Sequence, residues 1–181
     1  WFLCRQFDNL ANARIHYTTT AQEILDDFAE NPLDCFVSGF GTGGTLLGIA
    51  RRLRADSPGT RIVACEPDNS PLLGSGIAQP RDAGGAPTGS HPAFRPHLMQ
   101  GWSPDFVSGL VEQVREQSLI DAIVPVAGAD ALQTSRALAL CSRKHSRRRA
   151  DSKSKPSTPS ASACWRASRL RLACRLASTS Q

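Results

Sequence analysis

The sequence predicts an α/β fold, a three-layer sandwich in which helices cover a parallel sheet. Three observations carry this reading. Short apolar runs at 34–38, 61–65 and 120–126 have the length and composition of strands. Segments of helical spacing lie between and after them. A glycine-rich loop, Gly39-Phe40-Gly41-Thr42-Gly43-Gly44-Thr45, joins the first run to a helix. Strand, glycine loop, helix and strand in that order make a βαβ unit, which requires parallel strands with helices on their faces.

The chain opens at 1–7 with an apolar passage broken by Arg5-Gln6, read as a strand end leading into a loop. Asp8-Asn9 and Asn12 signal a turn. Thr18-Thr19-Thr20 precedes Ala21, Ile24, Leu25 and Phe28, whose spacing marks an amphipathic helix. Thr20 with Glu23 is a capping-box pattern at its start. Asn31-Pro32 ends it, because the residue before proline disfavours the α region. After the glycine loop, Leu46, Leu47, Ile49, Ala50 and Leu53 define a helix. Its last turns carry Arg51, Arg52 and Arg54, suited to the negative end of the helix dipole. Pro58-Gly59 turns the chain into the second strand, which runs into Glu66-Pro67.

Residues 74–105 are rich in glycine and proline and read as a long loop carrying function or mobility. A helix follows over about 107–117, then the third strand. Gly128-Ala129-Asp130 begins another helix through Leu132, Ala137 and Leu140, with an acid in its first turn.

Charge divides the chain. Residues 1–140 carry 10 arginines, no lysine and 15 acids, a net charge of −5. Residues 141–181 carry 8 arginines, 3 lysines and one acid, a net charge of +10. No glycine occurs after Gly128. The overall excess of +5 therefore belongs to the last 41 residues, which read as a disordered basic tail, with at most a marginal helix near 163–177. This argues against specific nucleic-acid binding by the body, and no RNA- or DNA-binding motif is present.

No apolar run approaches the roughly 20 residues that cross a bilayer. Residues 1–5 lack the apolar stretch of a secretion signal. The chain begins at Trp1 rather than methionine, so a missing beginning is expected. Six scattered cysteines form no C-x-x-C pair, and Cys35 and Cys65 lie in strand-like runs. Zinc and redox motifs are excluded on this pattern, and a cytoplasmic, reducing location is expected.

The glycine loop is the strongest chemical signal. A helix start presents unpaired N–H groups and positive dipole charge, a seat for phosphate. Thr42 and Thr45 add hydroxyls. Gly-Lys-Ser/Thr is missing, so a P-loop is excluded. Gly39-x-Gly41-x-x-Gly44 with Glu66 at the next strand end also fits a dinucleotide fingerprint, in which the acid holds a ribose. The residues alone leave the phosphate's owner open.

An ordered set extends well beyond the loop. It comprises Gln6-Phe7-x-Asn9-x-Ala11-Asn12, His16, Thr19-Thr20-x-x-Glu23-Ile24, Val37 to Thr45, Glu66-Pro67 and Gln100-Gly101. Together they resemble cysteine synthase (O-acetylserine sulfhydrylase), a fold-type II pyridoxal-phosphate enzyme of the tryptophan-synthase-β class. Cystathionine β-synthase is a close relative. The resemblance covers about residues 1–140 and implies a partial large domain of such an enzyme. It implies that Gly41, Thr42, Gly43, Gly44 and Thr45 hold the phosphate of pyridoxal 5'-phosphate and that Gly101 lies beside the cofactor. Gln6 would contact the substrate carboxylate, and Glu66 would be a structural strand-end residue. The implied reaction is β-replacement of O-acetyl-L-serine with sulfide, giving L-cysteine and acetate, in a homodimer when complete. The cofactor ring is the electron sink and the protein orients it.

Departures are specific. The family's Schiff-base lysine precedes the region matching Trp1, so no catalytic residue is assigned. The only lysines, Lys144, Lys153 and Lys155, match no motif. Ala21-Gln22 replaces the usual Gly-Pro before Glu23. A Ser/Gly-rich segment expected after 129–140 is replaced by Cys141-Ser142-Arg143-Lys144-His145. Residues from about 141 onward are therefore expected to be a reading-frame artefact joined to a truncated and inactive body. Two other readings remain at this stage. One is a Rossmann dinucleotide domain, in which His16, His91, His97 and His145 are isolated and form no catalytic set. The other is a non-catalytic chain whose basic tail binds anions without specificity.

Overall fold

A computed structural model describes residues 1–151, with side chains through residue 139. The chain divides into two units, Trp1–Ala131 and Leu132–Gln181.

The first unit is an α/β body. Its elements are α1 (Leu10–Ile15), a π turn (His16–Thr20), α2 (Ala21–Asp27), β1 (Cys35–Gly39), α3 (Gly44–Asp56), β2 (Arg61–Pro67), α4 (Gly109–Glu116) and β3 (Ala122–Val126). The strands form one parallel sheet in the order β1-β2-β3. Cys35 pairs with Arg61 and Gly39 with Cys65, while Val63 pairs with Ala122 and Pro67 with Val126. The predicted parallel α/β architecture is thus the observed one, and each strand lies within about two residues of its expected place.

Helix α3 forms the heart of the core. Leu46, Leu47, Ile49, Ala50 and Leu53 are all buried. They share one cluster with Ile62 and Ala64 of β2 and with Leu110, Val111 and Val114 of α4. Truncating any one of these leucines to alanine would cost about 2–5 kcal/mol, through lost transfer energy and the cavity left behind. Arg51 reaches from α3 to Gln113 and Gln117 of α4, and Arg54 pairs with Asp121 before β3 at 2.8 Å. The arginines at the end of α3 therefore tie it to its neighbours as well as suiting its dipole.

Two expectations for the body are corrected. Residues 1–7 form no strand. The backbone turns back at Arg5, whose carbonyl accepts from Asp8 and Asn9 at 2.9 Å, and Trp1, Phe2 and Leu3 are exposed. The capping box at Thr20 is not used. The helix has already begun at Asn9, whose side chain accepts from the Ala11 amide, and Thr20 sits inside a continuous helical run with φ −58° and ψ −41°. Residues 74–105 form the long loop that the sequence predicts, and side-chain hydrogen bonds anchor it. His91 and Gln79 are buried within it. Gln79 donates to the Gly89 carbonyl at 2.9 Å and accepts from the Val107 amide at 3.0 Å, while Arg81 donates to the Val107 carbonyl at 2.8 Å.

Helix α5 (Gly128–Asp151) starts where the sequence places it but continues past position 140, so residues 141–151 are helical where the sequence reading expects a disordered tail. The segment 129–151 contains neither glycine nor proline and is rich in Ala, Leu and Arg, so nothing local stops the helix. The expectations for 152–181, including the marginal helix near 163–177, lie outside the described residues. No helix among the described residues is long and apolar enough to cross a membrane.

Candidate phosphate-binding site

Glycine loop 39–45 lies at the carboxyl end of β1, where open α/β sheets bind their ligands. Gly43 has φ +89°, a left-handed conformation that a side chain would strain, and its carbonyl accepts the first full helical bond, from Leu47 at 2.9 Å. The amides of the first helical turn have no carbonyl four residues back within the helix. They therefore face outward with the positive end of the dipole, and the first turn of α3 contains no acid to compete for it. Such a seat attracts an anion.

Other segments shape the loop. Asn12 of α1 donates to Thr42 Oγ1 at 2.9 Å, and the same amide donates to the Gln6 carbonyl at 2.9 Å. Ser108 donates to the Thr42 carbonyl at 2.7 Å and caps α4 by accepting from the Val111 amide at 3.1 Å. The Ser103 amide donates to the Phe40 carbonyl at 2.7 Å. A Cβ on Gly41 would run into the carbonyl oxygen of Gly101, whose own φ is +80°. The Trp102 ring packs against Gly39.

Gly41, Thr42, Gly43, Gly44, Thr45 and Gly101 thus come together as one neighbourhood. Gln6 joins only through its backbone. Its side chain is exposed and has no hydrogen-bond partner among the described residues. Thr45 is exposed, and its hydroxyl meets His16 Nε2 at 3.1 Å. His16 is therefore not isolated, as it looks in the sequence. Asn12 and Ser108 were not singled out as site residues. Asn12 stood in the ordered motif but read as a turn, and Ser108 fell inside a helix placed two residues too early.

Glu66 settles the dinucleotide reading. Its carboxylate is buried and accepts from the Leu73 and Gly74 amides at 2.9 and 2.8 Å. Burial raises its pKa, while the two amides and His91 pull the other way. Both oxygens hold the chain that follows β2, and at 1% exposure the carboxylate is out of reach of a ribose. Among the described residues no cluster of His, Cys, Asp or Glu could hold a metal.

A parallel sheet with a glycine loop between strand and helix defines an α/β protein of the kind that binds its ligand at the carboxyl ends of the strands. The chain belongs to the family of pyridoxal-phosphate dependent enzymes, whose pattern matches residues 1–145. The cofactor of that family is pyridoxal phosphate, and the phosphate seat described above fits it. The chain is 43% identical over 139 residues to O-ureido-L-serine synthase of Streptomyces lavendulae, covering 77% of this chain and 37% of that protein. It is 39% identical over 129 residues to a cysteine synthase of Flavobacterium, covering 71% and 35%. The crystal structure of O-ureido-L-serine synthase superposes with a TM-score of 0.64, covering 77% of this chain and 38% of the other. O-Acetyl serine sulfhydrylase isoform 3 of Entamoeba histolytica gives 0.59 at 30% identity, covering 76% and 34%. The chain therefore spans little more than a third of the relatives it matches.

Proposed function

We propose that this chain forms the phosphate-holding portion of an enzyme that replaces the β-substituent of an activated serine. The reading is O-acetyl-L-serine plus sulfide giving L-cysteine and acetate, a transferase reaction of cysteine biosynthesis. The observation that carries it is the meeting of the 41–45 loop with Gly101 at the end of β1.

In this reading the first-turn amides of α3, with the hydroxyls of Thr42 and Thr45, hold the cofactor phosphate. Gly41 and Gly101 leave room for the cofactor to lie close to the backbone. Gln6 contacts the substrate carboxylate, and Asn12 keeps that segment in register with Thr42. The pyridoxal ring, when bound, supplies an electron sink for the charge left at Cα when a proton is removed. No lysine occurs before Lys144, so residues 1–143 offer no side-chain amine to the cofactor aldehyde or to that proton. Their share of the chemistry is binding and orientation. Homodimerisation belongs to the same proposal. So does the division into an enzyme body over 1–140 and a basic tail over 141–181 of different reading-frame origin. Translating the codons after residue 140 in the other two frames tests that origin: a Gly/Ser-rich continuation supports it, and its absence in both frames refutes it.

A second reading is synthesis of O-ureido-L-serine on the same scaffold. It is favoured by the 43% identity to a protein of that name. Both readings share the phosphate seat.

The experiment is a binding titration. Pyridoxal 5'-phosphate should bind reversibly, inorganic phosphate should compete, and pyridoxal without phosphate should bind far more weakly. Equal binding of pyridoxal would remove the basis for the proposal. The two nucleophiles are then told apart in the longer protein by supplying sulfide or hydroxyurea and identifying the amino acid formed.

A further inference from the structure

Beside the phosphate seat lies a hydrogen-bonded chain that the proposed function does not itself require. His16 occupies the first position of the π turn and Thr20 its last. The turn brings His16 Nδ1 to 3.0 Å from Thr20 Oγ1. The other ring nitrogen, Nε2, lies 3.1 Å from Thr45 Oγ1 across the gap to α3. The neighbouring hydroxyls behave differently. Thr18 and Thr19 donate back to the helix carbonyls of Arg14 and Ile15, as hydroxyls in helices commonly do. Thr20 instead turns to the imidazole.

A neutral imidazole carries one proton, so the chain can run in only two directions. In one, Thr20 donates to Nδ1 and Nε2–H donates to Thr45 Oγ1. Thr45 then keeps its own hydroxyl proton free to point at an anion. In the other, Nδ1–H donates to Thr20 and Thr45 donates to Nε2. The Thr45 hydroxyl would then offer an approaching phosphate only lone pairs, which repel it. Only the first direction suits an anion seat at the start of α3.

We infer that His16 is a positioning residue, held by Thr20 in its Nε2–H form so that the Thr45 hydroxyl is oriented as a donor to a phosphate group. The inference rests on the phosphate-seat reading above and adds a component to it. The four-residue spacing within the turn sets the imidazole and Thr20 side by side.

The test is a double-mutant cycle read by inorganic phosphate and pyridoxal 5'-phosphate binding, with no catalytic activity required. Removal of one charge-assisted hydrogen bond corresponds to roughly tenfold in affinity, so His16→Ala should weaken phosphate binding about tenfold. His16→Gln carries an N–H at a similar reach and should stay within about twofold of the wild type. Thr45→Val should match or exceed the loss in His16→Ala. Adding His16→Ala to Thr45→Val should cost nothing further, because His16 acts through Thr45. Nitrogen-15 shifts of the neutral ring should report a protonated Nε2. Additive losses in the double variant, or a ring protonated at Nδ1, would overturn the role of His16 while leaving the phosphate seat intact. A Thr45→Val variant with unchanged affinity would likewise overturn the role of His16, since the α3 amides and Thr42 would hold the anion without it, whereas a wild type that binds no phosphate would overturn the seat and the relay together. If His16→Ala does not fold, the glutamine variant and the ring shifts decide.

Discussion

Asn12 and Thr42 stand 30 positions apart and are joined by one hydrogen bond, from the Asn12 side-chain amide to the Thr42 hydroxyl oxygen at 2.9 Å. The second proton of that amide goes to the Gln6 carbonyl, also at 2.9 Å. One side chain thus fastens both the segment proposed to meet substrate and the loop proposed to meet phosphate. Aspartate at this position has the same shape but no protons to give. Asn12→Asp should therefore weaken pyridoxal 5'-phosphate binding by up to about thirtyfold, and Asn12→Ala by a similar factor, because two hydrogen bonds worth about 1 kcal/mol each are lost. Equilibrium dialysis measures this. An unchanged affinity in both variants would show that the fastening is unnecessary.

Gly41 allows a second prediction. A methyl group there would be driven into the Gly101 carbonyl, a backbone atom that cannot rotate away. Gly41→Ala should separate the two loops and reduce pyridoxal 5'-phosphate affinity by at least tenfold. The contact is between two loop backbones and removes no side chain from the core of α3, α4 and β2, so cooperative thermal unfolding should persist. Gly59→Ala is the control, since a methyl group there meets nothing within 4 Å. Equal affinity in the two variants would contradict the close approach.

The parallel sheet and the glycine loop were legible because each rests on local pattern. Apolar runs announce strands, and glycines between a strand and a helix announce a phosphate turn. The true start of the first helix was not, because Asn9 and Thr20 are both sound capping residues and only packing decides between them. Gly101 was placed by its motif alone. Its approach to Gly41 depends on the path of the 74–105 loop, which in turn depends on His91, Gln79 and Arg81 meeting backbone groups far away in sequence. No periodicity encodes such contacts. His16 looked isolated for the same reason: its partner Thr45 is 29 positions away.

Two carboxylates give opposite pH dependences. Burial would raise the Asp121 pKa, but the Ile62 amide and Arg54 outweigh it and hold the group below its ordinary value. Its folded pKa is depressed, so its contribution is complete above the ordinary aspartate range and is lost as pH falls through the depressed value. Glu66 is raised, chiefly by burial. Its contribution is present below the ordinary glutamate range and is lost as pH rises through the raised value. Urea unfolding at a series of pH values checks both. Asp121→Asn should flatten the acid limb. Glu66→Gln should flatten the opposing slope, and it should also destabilise the fold by about 1–3 kcal/mol. The new NH2 would face an amide that already donates, leaving one buried N–H unpaired. An acid limb unchanged in Asp121→Asn would show that the Arg54 pairing has no thermodynamic weight.

Cys65 lies on β2 with 5% of its surface exposed, and burial, reinforced by Cys35, pushes its thiol up to about 11. Only a thiolate attacks an alkylating reagent, and access is needed as well. At pH 8 Cys65 therefore fails on both counts, whereas Cys4 is exposed. Iodoacetamide treatment followed by peptide mass mapping should label Cys4 within minutes and leave Cys65 untouched until the sheet opens. Addition of urea should bring Cys65 labelling up along the same transition as the loss of helical signal, because β2 is the central strand and has no local route to exposure. Labelling of Cys65 well before that transition would mean that β2 separates from its neighbours independently, and the three-stranded sheet would not be the cooperative unit its packing implies.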